Sequence, residues 1–290
     1  MTDSKTPRRR SLLKGAAIAA GAMSAPMIAK AQTGPISMRW QSTWPAKDIF
    51  HEYALDYAKK VNDMTGGDLK IEVLPAGSVV PAFGLLEAVS KGTLDGGHGV
   101  LGYHYGKQNA LALWNSGPAF GMDANMILAW HKYGGGAEFN NASSDRLLGF
   151  PDVSKVCMLQ SYHQSAETFE IMFNKTKYDA LPTKMKAIIA GATEAASADM
   201  SWKAIDRYSK DYVELQTKDK VKFYKTPDSV LQDQLKLWSE IVAKKSAENP
   251  LFKEIVESQK AFAARAVKWD QDTYVNRRMA VNHFFGAKKA

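Results

Sequence analysis

Apolar and polar positions alternate at the start of the folded part of the chain. Met38, Trp40 and Ser42 face one way and Arg39 and Gln41 the other, which predicts a strand that Pro45 closes. Asp48 then stands as the N-cap of a helix in which Phe50, Tyr53, Ala54, Tyr57, Ala58 and Val61 recur at helical spacing, until Thr65-Gly66-Gly67 stops it. A second strand follows over 69–74, then a turn at Pro75-Ala76-Gly77, a helix over about 83–91 and a short strand near 98–101. Strand, helix, strand, helix, strand in this order predicts an α/β fold whose sheet is parallel, with right-handed crossovers.

The next segment, 102–120, is rich in Gly, Tyr, Trp and Asn and has weak periodicity, as expected of a surface segment shaping a cleft at the carboxyl ends of the strands. A helix over 123–133 runs into Gly134-Gly135-Gly136, and short strands are expected near 155–159 and 169–174. From Pro182 the pattern is helical almost throughout. One amphipathic run covers 184–216, a strand covers 221–225, Pro227 opens a helix in its first turn, and Pro250 opens another reaching about Phe285. The C-terminal third is expected to be a helical layer clamping the sheet.

The first 31 residues need separate treatment. Arg8-Arg9-Arg10-Ser11-Leu12-Leu13-Lys14 precedes a mildly apolar, alanine-rich stretch to Ile28 and then Ala29-Lys30-Ala31. This is the composition of a cleaved export signal, and Arg9-Arg10-Ser11-Leu12-Leu13-Lys14 fits the twin-arginine (Tat) pattern, which predicts a periplasmic location. The whole chain has 38 Lys and Arg against 30 Asp and Glu; six of the former and one of the latter lie in residues 1–31, leaving 32 against 29, a net charge of +3. The remaining charges are interspersed along amphipathic stretches such as 206–222, which argues against a nucleic-acid partner. The single cysteine, Cys157, excludes an internal disulfide. Past the leader no apolar run approaches the roughly 20 residues that span a bilayer.

Catalytic patterns are weak. Gly97-His98-Gly99-Val100-Leu101-Gly102 matches G-x-G-x-x-G, but its glycines overlap a strand instead of following one, so they read better as close backbone approaches than as a dinucleotide site. The six histidines (His51, His98, His104, His131, His163, His283) show no H-E-x-x-H and no finger-type pairing with cysteine. There is no G-x-S-x-G, and Cys157 sits in an apolar run that suits a small core residue. The chain is therefore expected not to be an enzyme. Aromatics concentrate where loops should line a cleft (Trp40, Trp44, Tyr103, Tyr105, Trp114, Trp130), with core packing accounting for about half of them and a ligand pocket for the rest. Polar clusters at 137–141 and 161–164 fall at element ends.

Several stretches resemble the periplasmic solute receptors of TRAP (tripartite ATP-independent periplasmic) transporters, in the branch that takes 2-oxo acids and related monocarboxylates. They are Trp40-Gln41-Ser42-Thr43-Trp44-Pro45, Leu74-Pro75-Ala76-Gly77, Ala88-Val89-Ser90-Lys91-Gly92-Thr93-Leu94-Asp95, Trp130-His131-Lys132-Tyr133-Gly134-Gly135-Gly136 and Phe173-Asn174-Lys175. The resemblance implies an α/β fold of the type II periplasmic-binding-protein kind, two lobes closing over a ligand, with a long C-terminal helical brace. It implies capture of a small organic acid, TRAP membrane permease subunits as partners, and leaves a homodimer open. The implied division is a signal peptide over 1–31, a first α/β lobe over 32–136, a remnant of the second lobe and hinge over 137–175, and a helical region completing the first lobe over 176–290.

One departure bears on the site. Members of this family usually carry a sizeable segment between the glycine triplet and the Ala-Glu-aromatic motif, holding much of the second lobe and the arginine that grips the substrate carboxylate. Here Gly136 runs straight into Ala137-Glu138-Phe139, so the second lobe is expected to be truncated and anion binding weakened. The resemblance carries over Glu138 as a carboxylate ligand for a sodium or calcium ion that bridges the substrate carboxylate, and Phe139 as the donor of a backbone carbonyl to it. It carries over Gln164 and Tyr103 as substrate-pocket residues. The alternatives are a truncated receptor that has lost binding, a periplasmic interaction protein using the amphipathic C-terminal helices, and a periplasmic enzyme.

Overall fold

The computed structural model describes residues 34–115, 117–134, 155–162, 166 and 168–286. The chain divides at Pro35, and the elements that follow belong to the second unit, 36–290. Its main elements in chain order are β1 (Ile36–Ser42), α1 (Ile49–Met64), β2 (Leu69–Leu74), α2 (Leu85–Ser90), β3 (Gly96–Gly99), α3 (Ala124–Tyr133), β4 (Val156–Leu159), β5 (Glu170–Phe173), α4 (Thr183–Thr217), β6 (Lys222–Lys225), α5 (Asp228–Glu248), α6 (Pro250–Thr273) and α7 (Arg277–Phe285), with one-turn helices at Ala112–Asn115 and Lys175–Asp179 and short 3-10 turns before α2 and between α2 and α3. Among the described residues no helix is long and apolar enough to cross a membrane.

A four-stranded sheet has the order β2-β1-β3-β5, and β1 is parallel to both β2 and β3 as the element order predicts. The fourth strand runs antiparallel to β3, placing Glu170 opposite Gly99. β3 lies two residues earlier than expected, because its first residues are glycines with no apolar signal. They are glycines by necessity: a Cβ on Gly96 would lie 2.4 Å from Trp40 and 2.5 Å from the Met172 carbonyl, and one on Gly97 would lie 2.9 Å from Leu85. The bulk of Trp40 and Leu85 thus selects bare backbone in the strand that carries His98.

The α1 helix begins where the Asp48 carboxylate accepts from the Phe50 amide at 2.8 Å, and its apolar face buries Tyr57 and Val61 against Trp40, Leu69 and Ile71. The long α4 covers the same core through Ile189 and Ala192. Three ion pairs seam α4 to α1: Lys60 with Asp199 at 2.6 Å, Lys203 with Asp56, and Arg207 with Glu52 at 3.6 Å. On another side of the sheet Leu85, Val89 and Leu94 form a small core around α2.

The remaining C-terminal helices depart from the expected clamp. Trp130 of α3, Phe252, Ile255 and Phe262 of α6 and Val242 of α5 make a separate core with the 110–122 segment. The helix expected to run from Pro250 to Phe285 breaks at 274–276, where Tyr274 is extended and the Asn276 side chain accepts from the Arg278 amide at 2.9 Å. That local bond offers the backbone an alternative to the helix. Pro227 is the N-cap of α5 and not its first helical residue, while Asn249 caps α6 with Pro250 in the first turn. β4 and β6 pair in parallel as a second, two-stranded sheet.

Candidate functional site

The carboxyl ends of β1 and β3 and the start of β5 meet in a buried polar and aromatic cluster. Ser42, the last residue of β1, shares a 2.8 Å hydrogen bond with His51 Nδ1 on α1. Two residues on, the Trp44 indole N–H donates to His98 Nδ1 at 3.2 Å. His104 Nε2 lies 2.7 Å from a Glu170 carboxylate oxygen, tying the 3-10 turn Leu101–His104 to the first residue of β5. All six of these side chains are buried.

Burial sets their charge. Desolvation, with a smaller contribution from His51, pushes the His98 pKa down to about 3. With Trp44 donating to Nδ1, His98 is neutral and carries its proton on Nε2. Burial also lowers His51, against the pull of the Asp48 carboxylate. Serine, histidine and aspartate in sequence here suggest a nucleophile and its base, but the geometry excludes that role. Ser42 is fully buried and the Asp48 carboxylate is spent on the α1 N-terminus. The group is a structural joint between β1 and α1.

Over this joint the aromatic rings form a ledge. Trp44 packs against Phe50 and Phe169 with centroids 4.8 and 5.7 Å away, and Phe169 stacks on His98 at 5.3 Å. Tyr103 lies above them, 5.9 Å from Trp44 and 4.8 Å from Phe83, and is 38% exposed while Phe83 is 72% exposed. Phe83 belongs to the 75–84 loop, which the fully buried Gln41 side chain straps down by accepting from the Val79 and Val80 amides and donating to the Val80 carbonyl. Of the six aromatics singled out in the sequence, Trp40, Trp44 and Trp130 are buried, Trp114 is half-buried, and Tyr103 and Tyr105 are exposed.

Of the four site residues expected from sequence, the structure places Tyr103 on this ledge; Glu138, Phe139 and Gln164 lie outside the described residues. Among the described residues no group of three or more His, Cys, Asp or Glu side chains could hold a metal ion. The joint pairs Ser42–His51 and His104–Glu170 were not among the expected site residues. Their only sequence signal is a polar residue at a strand end, since the second pair is separated by 66 positions.

Comparison with known proteins adds three findings. Residues 41–147 match the family model "bacterial extracellular solute-binding protein, family 7". A monocarboxylate 2-oxoacid-binding periplasmic protein of Nostoc sp. is 36% identical over 136 residues, covering 44% of this chain and 37% of that protein, so the match spans well under half of that relative's length. Among solved structures, a TRAP transporter solute-binding protein of Bordetella bronchiseptica, described as a dimer with calcium and picolinate bound, superposes with a TM-score of 0.77 at 20% identity, covering 87% of this chain and 98% of its own. A TRAP periplasmic solute-binding protein of Pseudoalteromonas atlantica with bound sodium and pyruvate gives 0.76 at 20% identity, covering 86% and 99%. The chain thus has the α/β fold of these solute-binding proteins.

Proposed function

We propose that this chain is the periplasmic solute-binding receptor of a TRAP transporter, capturing a small organic acid of the 2-oxo or related monocarboxylate class for uptake. The observation that carries the reading is the 36%-identical segment shared with a 2-oxoacid-binding periplasmic protein. The fold agreement with acid-bound neighbours supports it. Export by the twin-arginine signal would deliver the chain to the periplasm, with residues 1–31 removed. No reaction is assigned: the ligand is bound, the lobes close over it, and the closed form docks on the membrane permease subunits.

In this reading Tyr103 and Gln164 line the acid pocket. Glu138 and the Phe139 carbonyl supply hard oxygen donors, the chemistry that sodium or calcium prefers. The cation would lend positive charge to hold the substrate carboxylate, a role of added weight in a chain lacking the arginine-bearing segment. A homodimer is the further partner, supported by the dimeric Bordetella neighbour.

A second reading is favoured by the direct run of Gly136 into Ala137-Glu138: a receptor whose second lobe is shortened and whose binding is lost. Thermal melts of residues 32–290 with pyruvate, lactate and 2-oxobutyrate, each with and without sodium or calcium, separate the two. A midpoint that rises with one acid, and rises further with a cation, supports the receptor, since a ligand bound only to the native state must stabilise it. A midpoint indifferent to every acid at millimolar concentration supports the second reading.

A further inference from the structure

A second opening among the described residues is away from the aromatic ledge. It lies between α5 and α6, closed at one end by the 118–121 turn and Tyr162, and has a volume of about 560 Å³. We propose that it is a second binding site, one for amphiphilic organic anions with an aromatic or branched apolar body.

Its volume falls within the roughly 300–1,000 Å³ of small-molecule sites. The floor is apolar, built by Phe120, Trp238, Val242 and Val256. Trp238 is held in place by donating its indole N–H to the Tyr162 carbonyl at 2.6 Å, while the Tyr162 amide donates to Gln234 at 2.8 Å, so the wall is fixed before a ligand arrives. The rim carries Lys253, Glu257 and Lys260, two ammonium groups against one carboxylate. Lys253 is only loosely paired with Glu257, at 3.7 Å across exposed side chains. Lys260 has no carboxylate partner among the described residues and instead rests its ammonium over the Phe120 ring, 5.4 Å from the centroid. An apolar slot whose rim has a net positive charge among the described residues fits a ligand with an apolar body and one anionic head.

The backbone supplies an independent sign. Ala119 and Phe120 both take left-handed conformations, with φ of 51° and 52°, and Gly121 follows at 84°. Two successive non-glycine residues with positive φ are unfavourable, and such strain collects at ligand clamps. Here it turns the Phe120 ring into the slot beneath Lys260. Tyr103, the one acid-pocket residue among the described residues, does not line the slot, so the receptor reading is not a premise of this proposal.

The test is calorimetric titration of residues 32–290 with 4-phenylbutyrate and with its neutral counterpart 4-phenyl-1-butanol, alongside pyruvate with calcium. The expected result is one equivalent of phenylbutyrate bound, with the alcohol and the Lys260→Gln variant each weaker by about tenfold, the size of a lost charge-assisted contact. Ser239→Trp, which fills the slot from α5, should abolish phenylbutyrate binding and leave the pyruvate response of the parent chain unaltered. Should Ser239→Trp fail to fold, Lys260→Gln, an exposed change, decides alone. Equal binding of acid and alcohol, an unchanged affinity in Lys260→Gln, or no heat with phenylbutyrate at millimolar concentration would overturn the proposal. A slot that binds while pyruvate does not would leave it standing and count against the receptor reading only.

Discussion

The indole N–H of Trp44 donates to Nδ1 of His98 across the buried edge of the sheet, at 3.2 Å. The contact holds the loop after β1 to the end of β3 and makes a neutral imidazole part of the packing. His98 titrates near 3 and His131, buried on α3, near 4, both because burial disfavours the charged ring.

Stability should therefore fall with acidification well before carboxylates titrate. In the unfolded chain an imidazole titrates near 6.5, so above that pH neither histidine distinguishes the two states. As pH drops below 6.5 the unfolded chain takes up protons that the native state refuses. Each of the two residues then costs about 1.4 kcal/mol of stability per pH unit, until its native pKa is reached. Urea unfolding at pH 7 and pH 5 should show a lower midpoint at pH 5. A midpoint unchanged or higher at pH 5 would contradict the assigned burial.

His131 should account for a separable share of that slope. Among the described residues neither of its ring nitrogens has a hydrogen-bond partner, although the side chain is buried. Replacing it by a ring without polar atoms removes an unsatisfied group, so His131→Phe is expected to stabilise the chain by about 1 kcal/mol at pH 7 and by more at pH 5. Loss of stability at both values would mean that the nitrogens are satisfied in solution.

The glycines of β3 make a steric prediction. Gly96→Ala drives a Cβ into Trp40 and the Met172 carbonyl, and neither the strand nor a fully buried indole can retreat; the expected cost is about 3 kcal/mol or more. Gly106→Ala has nothing within 4 Å of the new Cβ and should change the stability by less than about 0.5 kcal/mol. Similar midpoints for the two variants would show that the packing of Trp40 on Gly96 is looser than the structure has it.

What could be read in the sequence follows how local each determinant is. The α1 helix was legible because its cap and its apolar face lie within seventeen consecutive positions, from Asp48 through Met64. β3 was displaced because Gly96 and Gly97 are selected by Trp40 and Leu85, which come from other elements. The break before α7 depends on one side-chain bond of Asn276, which periodicity does not register. In the candidate site, Tyr103 could be placed on a rim from its loop alone. The pairs beneath it, His98 with Trp44 and His104 with Glu170, exist only once the sheet has brought β1, β3 and β5 together.

The tail offers a test of how much of the chain the fold uses. No residue of α7 is buried, and Met279, Phe284 and Phe285 are each at least 74% exposed. A nine-residue helix with no buried residue is marginal in water, so ending the chain at Thr273 should leave the melting midpoint of dilute protein within about 1 °C of the full-length value. A drop of several degrees would mean that the tail is covered, and if that drop appears only at high protein concentration, the cover is a second copy.

The ledge separates binding from stability. Tyr103 packs against Trp44 and Phe83 and is 38% exposed, so Tyr103→Ala removes little core. It should cost less than about 1 kcal/mol of stability. If Tyr103 lines the acid pocket, the same change weakens the thermal response to pyruvate and calcium by about fivefold or more, the loss of one hydroxyl and one ring contact. Trp44→Leu is the contrasting variant: it breaks the bond to His98 and the packing on Phe50 and Phe169, and should lose about 3 kcal/mol along with the response. Tyr103→Ala with full stability and an unaltered acid response would remove the ledge from the binding site and return Tyr103 to an ordinary surface residue.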